Sequence, residues 1–180
     1  MPNLETSRLL LRRWTARDVV PMSRINADPE VMQWIGDGTT RAEDQTRVFI
    51  KRCEEMWETQ GFGLFAVEIR ETGELAGFVG LSVPTFLPEV MPSVEIGWRL
   101  GRSLWGKGIA TEAAKETLHF GFEDCNLNKI LSICQMGNGA SERIMLFTLK
   151  TLTGSRVSLL RADSRVGTAP LLTRRGAQRQ

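Results

Sequence analysis

The residues best suited to chemistry lie in one stretch, residues 95–114, which reads EIGWRLGRSLWGKGIATEAA. A strand-like alternation ends at Leu100, and a turn with Gly106, Lys107 and Gly108 leads directly into a segment rich in small residues. Glycines let backbone N–H groups crowd around an anion, and a helix start adds unpaired N–H donors and a partial positive charge. The spacing therefore predicts a turn that holds phosphates at the N-terminus of a helix.

Two common phosphate-binding motifs do not fit this turn. The dinucleotide fingerprint needs a third glycine at position 111, which is Thr111, so a nicotinamide or flavin site is disfavoured. Gly101, Gly106 and Lys107 have the spacing of a nucleotide-hydrolysing loop, but Gly108 stands where that loop has its magnesium-binding hydroxyl. Nucleotide hydrolysis is therefore disfavoured as well.

Residues 94–100 and 105–113, VEIGWRL and WGKGIATEA, resemble the coenzyme A loop of the GNAT N-acetyltransferase superfamily. The likeness is closest to its ribosomal-protein N-terminal acetyltransferase branch, the RimJ/RimL type. Residues 6–12, TSRLLLR, resemble the first strand of that branch, and residues 138–141, NGAS, resemble its Asn-x-x-Ser helix start. The matches follow the family's order and span about residues 4–145.

The resemblance implies an α/β (α+β) fold, with a twisted, mostly antiparallel sheet flanked by helices and splayed between the fourth and fifth strands. Acetyl-CoA is then the acyl donor, bound in the cleft between those strands, and no metal is implied. The acceptor is a primary amine, and a protein N-terminus and a small-molecule amine both remain open. A catalytically inactive acyl-CoA-binding protein is the alternative.

The resemblance also places the coenzyme-binding residues. The backbone of the fourth strand near Trp98, Arg99 and Leu100 is expected to pair with the pantetheine arm and to supply an oxyanion donor. The diphosphate is expected to bind the loop from Arg102 to Thr111, and Asn138 is expected to bond the coenzyme arm. The backbone N–H donors assigned to the diphosphate are those of Gly106, Lys107, Gly108, Ile109 and Ala110.

Two residues are candidates for proton transfer. Glu95, on the fourth strand, is the candidate general base, acting through water, because the family often has a carboxylate there. The alternative is a structural or solvated strand glutamate. Ser141 is the candidate that protonates the departing thiolate. The alternative at this place is a plain helix cap by Asn138 with Glu142 in the first turn, and both roles can coexist.

The chain departs from the family at two places. Ser103 stands where the family prefers Arg or Gln, with Arg102 adjacent. After the Asn-x-x-Ser helix the family has an acid-Lys-Leu-Gly segment and two further strands, and many members carry a tyrosine there. This chain reads LFTLK at 146–150 and has no tyrosine.

We therefore divide the chain into an acetyltransferase domain, residues 1–145, and an atypical basic segment, residues 146–180. Our hypothesis is that the segment has left the ancestral reading frame or been replaced; partial disorder of the segment is the alternative. Residues 157–160 are a weak strand candidate. If the final hairpin is absent, a sheet edge and apolar surface are uncovered, which predicts poor solubility or dimerisation. A monomer and a homodimer both remain open.

The sequence also indicates the elements that position these residues. Helices are predicted near 16–27, 29–34 and 41–60, at 109–124 and from about 138. Strands are predicted at 8–14, 62–70, 75–83, 94–100 and 129–134. Thr15 with Asp18 and Thr40 with Glu43 have capping-box spacing, and Asp28 before a proline suits an N-cap.

Composition narrows the class of protein. The 180 residues suit one domain, and 42% apolar with 24% charged residues is typical of a soluble globular protein. No apolar run approaches a membrane span, and the N-terminus does not resemble a signal peptide. Cys53, Cys125 and Cys134 lack zinc-ligand spacing, which predicts reduced thiols in the cytoplasm. His119 falls on a charged helical stripe, so we expect a surface residue and no hydrolase triad.

Charge is distributed unevenly along the chain. Residues 146–180 carry seven Lys or Arg and one acid, whereas residues 1–145 carry sixteen bases and twenty acids. The basic segment has one aromatic residue, Phe147, and no nucleic-acid motif. Specific nucleic-acid binding is therefore the weakest of the alternatives.

Overall fold

The computed structural model describes residues 3–151 and 157–162; the rest of the basic segment, including most of the region of the reading-frame hypothesis, lies outside the described residues. Within the described residues, seven strands form one mixed sheet in sequence order, which confirms the predicted fold class. The strands are β1 (Leu4–Glu5), β2 (Leu9–Arg12), β3 (Leu64–Ile69), β4 (Leu75–Ser82), β5 (Glu95–Leu100), β6 (Ile130–Gln135) and β7 (Val157–Ala162). The predicted fourth and fifth strands are therefore β5 and β6.

Helices flank the sheet close to the predicted positions. They are α1 (Val19–Asn26), α2 (Pro29–Met32), α3 (Glu43–Gln60), α4 (Ile109–His119) and α5 (Gly139–Thr151). The helix predicted to reach residue 124 leaves α-helical geometry after His119 and ends in a π-helical segment, Phe120–Asp124. His119 is exposed, as predicted.

Local capping explains where the helices begin. Asp28 caps α2 by accepting the Glu30 N–H at 2.9 Å, and Thr15 and Asp18 form the predicted capping box. The Thr40 cap was a wrong prediction. The Arg41 N–H donates to the Asn26 carbonyl at 2.9 Å, which fixes the backbone at Arg41 outside the helix. As a result α3 begins only at Glu43.

The sheet packs its two faces against different helices. On one face Ile96 and Leu100 of β5 join the core beneath α4, with Trp98 packed against it, so the alternation predicted for β5 is confirmed. On the other face a second apolar cluster includes Phe78 of β4 and Cys53 of α3. Cys53 and Cys134 are buried free thiols.

The sheet splays between β5 and β6. These parallel strands pair only at Glu95 with Leu131 and at Ile96 with Ser132 within the described residues, whereas β4 and β5 pair along their length. The Leu131 N–H donates to the Val94 carbonyl at 2.8 Å, so Val94 faces β6. Alternate residues of a strand present their backbone groups to the same edge. The backbone groups of Trp98 and the Leu100 N–H therefore face the gap.

The weak strand candidate at 157–160 is confirmed as part of β7, which runs parallel to β6 and covers its edge. Within the described residues one strand follows α5, where the family has two. No helix in this part of the chain is long and apolar enough to cross a membrane.

Candidate active site

A cavity of about 400 Å³ lies where β5 diverges from β6. It brings together ten of the thirteen predicted site residues. These are Trp98, Arg99, Leu100, Gly106, Gly108, Ile109, Ala110, Thr111, Asn138 and Ser141. Its lining includes two arginines, Arg99 and Arg143, and no carboxylate among the described residues. The cavity is therefore suited to an anionic ligand.

The backbone of the predicted phosphate turn has the conformation that its glycines suggest. Gly106 and Gly108 have φ of +74° and +76°, in the left-handed region that favours glycine, and Gly108 is the N-cap of α4. Ile109, Ala110 and Thr111 lie in the first turn of α4. Their N–H groups have no intrahelical carbonyl to which they could donate. The turn thus presents unpaired donors and the positive end of the helix dipole to the cavity.

Two side chains hold this turn in place. The Trp105 indole N–H donates to the Leu100 carbonyl at 2.9 Å, and Arg8 Nη1 donates to the Lys107 carbonyl at 3.0 Å. Arg8 is held in turn by Glu112 of α4, with 2.7 Å between Arg8 Nε and Glu112 Oε2. Arg8 and Glu112 lie inside the motifs that carry the family resemblance, but the sequence alone did not indicate that they contact each other.

Arg102 and Lys107 do not line the cavity. Arg102 Nε lies 2.5 Å from Glu30 Oε2, and its guanidinium lies 4.8 Å from the Trp105 ring centroid. The Lys107 side chain is exposed, and the contact that the structure shows for this residue is through its carbonyl. A coenzyme-binding role for these two cations stays a prediction.

Glu95 also lies outside the residues that line the cavity. It is half-buried, and the Ser82 hydroxyl donates to its Oε1 at 3.0 Å. Burial raises the pKa of Glu95 above its ordinary value, and the Ser82 hydrogen bond opposes part of that rise. Glu95 is thus a carboxyl that holds its proton more readily than a surface glutamate, close to the point where β5 and β6 separate.

Asn138 and Ser141 lie together at the start of α5. Asn138 Oδ1 accepts the Ser141 N–H at 3.1 Å, so the helix-cap interpretation is correct. Both residues also line the cavity, which leaves the coenzyme-arm role of Asn138 and the acid role of Ser141 compatible with the cap.

Some cavity residues were missed by the sequence analysis. The cavity wall includes Val31 of α2, Trp34 and Ile35, and Ile144 and Phe147 of α5. Nothing in their spacing distinguishes them from ordinary apolar positions, since only the tertiary fold brings α2 and α5 to the same cleft. Among the described residues, no cluster of three or more His, Cys, Asp or Glu has the geometry to hold a metal ion.

Comparisons with known proteins agree with this geometry. A family model described as "Acetyltransferase (GNAT) domain" matches residues 8–146. An uncharacterized N-acetyltransferase of Bacillus licheniformis, p20, is 29% identical over 161 residues, which cover 89% of this chain and 86% of p20.

Two solved structures show the same fold. An acetyltransferase from Agrobacterium tumefaciens superimposes with a TM-score of 0.71 at 27% identity, covering 82% of each chain. RimL, a ribosomal L7/L12 α-N-protein acetyltransferase in complex with coenzyme A, superimposes with a TM-score of 0.69 at 14% identity over 82% of each chain, and shows the fold alone. The chain therefore belongs to the GNAT acetyltransferase family and is an acyltransferase enzyme.

Proposed function

We propose that the protein transfers an acetyl group from acetyl-CoA to a primary amine. One observation carries this proposal: the unpaired backbone donors of the glycine turn and the free edge of β5 line the same cavity. A diphosphate suits the first and an extended amide-bearing arm suits the second. The structural neighbour RimL, which holds coenzyme A, supports the same donor.

The reaction needs one bond made and one broken. The amine nitrogen attacks the thioester carbonyl, a C–N bond forms, the C–S bond breaks, and the sulfur leaves as a thiolate. The backbone N–H groups of β5 that face the gap are suited to stabilise the oxyanion that develops on the carbonyl. Glu95, acting through water, takes the proton that the amine loses, and Ser141 delivers a proton to the thiolate.

The acceptor is an amine on a protein N-terminus or on a small molecule. We place the acetyltransferase domain in residues 1–145. For the segment that follows, the reading-frame hypothesis stays a proposal. The assembly is a monomer or a homodimer. The match of the family model ends at residue 146, which supports that boundary. We expect the enzyme to act in the cytoplasm, without a metal, a membrane or specific nucleic acid.

The test has two steps. Calorimetric titration with acetyl-CoA measures donor binding, and a screen of primary amines and peptides then measures free thiol released in proportion to acceptor. Binding with acceptor-dependent release supports the proposal. Binding without release across the panel favours the inactive acyl-CoA-binding alternative, and no binding by the folded chain contradicts both.

A further inference from the structure

Arg99 is a buried cation on the face of β5 opposite the α4 core. The residue is only 8% exposed, and its guanidinium packs against two neighbouring aromatic rings, 5.8 Å from the Phe49 centroid and 5.3 Å from the Phe78 centroid. Phe49 lies on α3 and Phe78 on β4, so the guanidinium points away from the helix that carries the phosphate turn.

The charge of Arg99 has no carboxylate partner among the described residues. Its hydrogen bond there runs from Nη1 to Asn26 Oδ1 at 2.5 Å, and its buried Nε has none. Asn26 is a neutral acceptor, fixed by a 2.9 Å bond from its Nδ2 to the Thr46 hydroxyl. Burial, with a smaller contribution from Arg41, lowers the pKa of Arg99 to about 10.

Arg12 shows how this fold compensates an equally buried arginine. Arg12 is also 8% exposed, but its guanidinium bonds both oxygens of Asp18 at 2.8 Å and Glu68 Oε2 at 2.9 Å. A buried charge without such a partner is costly, because it loses its water and gains no opposite charge. Arg99 is therefore suited to bind an anion that the described part of the chain does not supply.

The neighbourhood of Arg99 is open on one side. Gly97 precedes it by two residues on the same face, and a Cβ added to Gly97 would meet no atom within 4 Å. Arg99 is one of the residues that line the cavity, together with Trp34 and Ile35.

We propose that Arg99 binds an anionic group of the acceptor, so that the enzyme acetylates primary amines that also carry a carboxylate or a phosphate. This inference rests on the proposed acetyl transfer and names the substrate class of the same site. The phosphates of the donor occupy the glycine turn, and Arg99, on the other face of β5, serves the acceptor.

The experiment compares amines that differ only in charge. The carboxylate arm uses glycine, 4-aminobutyrate and 6-aminohexanoate, each against its primary amide. The phosphate arm uses phosphoethanolamine against ethanolamine. We expect wild type to prefer the anionic member of at least one pair about tenfold or more in kcat/KM, the range of a charge-assisted hydrogen bond. The arm that shows the preference identifies the anion.

Variants then assign the preference to Arg99. Arg99→Met removes the charge at similar volume and is expected to abolish most of the preference, whereas Arg99→Lys retains part of it. Arg47→Met, which removes an exposed charge from α3 outside the cavity lining, is the matched control and is expected to keep the anionic-to-neutral ratio of wild type. A preference that survives Arg99→Met, or a rise in the acetyl-CoA KM as its sole effect, overturns the inference.

A binding measurement separates this inference from the proposed function. With coenzyme A present, the anionic amine of a pair is expected to raise the Tm of wild type more than its neutral partner does, and Arg99→Met is expected to remove the difference. If no amine is acetylated, acetyl transfer fails while this thermal shift still decides on Arg99. Equal shifts for charged and neutral amines overturn the anion site. Because Arg99→Met also removes the donor to the buried Asn26 Oδ1, each Tm shift is measured against the same variant without amine.

Discussion

Arg8 and Glu112, 104 positions apart in the chain, form an ion pair that ties the start of β2 to the first turn of α4. The same carboxylate accepts the Thr6 hydroxyl at 2.6 Å and the Arg8 N–H at 3.2 Å. Arg8 in turn donates to the Lys107 carbonyl between the two glycines of the phosphate turn. The shape of that turn therefore depends on a contact between two distant parts of the sequence.

Glu112→Gln is expected to weaken acetyl-CoA binding about threefold to tenfold, because a neutral amide holds Arg8 less firmly. Arg8 is half exposed, so the loss of stability is expected to be no more than about 1 kcal/mol. Calorimetric titration and thermal melting measure the two effects. Glu116→Gln, one turn further along α4, is the control that removes an equal charge. Equal acetyl-CoA affinities of the two variants would show that the Arg8–Glu112 ion pair does not shape the turn.

Gly106→Ala is expected to weaken acetyl-CoA binding about tenfold or more, because alanine resists the +74° φ that aims the backbone donors. Gly73→Ala is the matched control, since Gly73 has a φ of +70° and equally open space at its Cβ but lies in the β3–β4 turn. Both variants are expected to lose about 1 kcal/mol of stability, and only the first to lose affinity. A matching loss of affinity in Gly73→Ala would attribute the effect to stability alone.

Glu95→Gln is expected to reduce kcat and to stabilise the fold at neutral pH. Burial raises the pKa of Glu95 in the folded state above its unfolded-state pKa, which is near 4.5. As the pH rises from the unfolded-state pKa to the folded-state pKa, the unfolded state loses its proton more readily, so the free energy of unfolding falls. Below that window both states hold the proton and the penalty vanishes. Melting of wild type and variant from pH 4 to 8 should therefore show curves that coincide at low pH and separate as pH rises.

The pH dependence of wild-type activity gives an independent reading of Glu95. A general base must lose its proton, so the acid limb of kcat/KM is expected to titrate above 4.5 and to disappear in Glu95→Gln. A variant that keeps the wild-type rate and acid limb would assign Glu95 a structural role.

Asn138→Asp separates the cap of α5 from coenzyme binding. Aspartate caps a helix as well as asparagine does, but it lacks the Nδ2 donor and adds a negative charge beside an anionic ligand. We expect the Tm to remain near that of wild type and the acetyl-CoA KM to rise several-fold. Asn138→Ala, which loses the cap, is expected to cost about 1 kcal/mol in addition. An unchanged KM in Asn138→Asp would restrict Asn138 to the cap.

Ser141→Ala is expected to lower kcat about tenfold or more with little change in the acetyl-CoA KM, because it removes only the hydroxyl assigned to the thiolate. The helix cap uses the Ser141 N–H and survives the change. Ser103→Ala, next to the phosphate turn but outside the cavity lining, is the control. Steady-state kinetics with released thiol as the signal tests this, and a kcat within twofold of wild type would remove Ser141 from the mechanism.

Local patterns in the sequence were sufficient for much of the fold. The alternation through Trp98, the capping signals at Asp28 and the glycine pair at 106 and 108 each act within a few residues, and the structure confirms the elements that they predict. The Thr40 cap failed because a long-range bond from the Arg41 N–H to Asn26 outweighed a local preference. The strand at 157–160 was only a weak candidate, since its pairing partner β6 lies more than twenty residues earlier.

The sequence by itself determined the family of this protein and the position of its glycine turn, because both follow from backbone requirements of neighbouring residues. Only the tertiary structure decided which charged groups are compensated: Arg12 meets Asp18, Arg8 meets Glu112, and Arg99 meets no carboxylate among the described residues. It also decided that Glu95 lies beside Ser82 and outside the cavity lining. Burial and pairing are properties of the packed sheet and its helices, and no pattern along the chain encodes them.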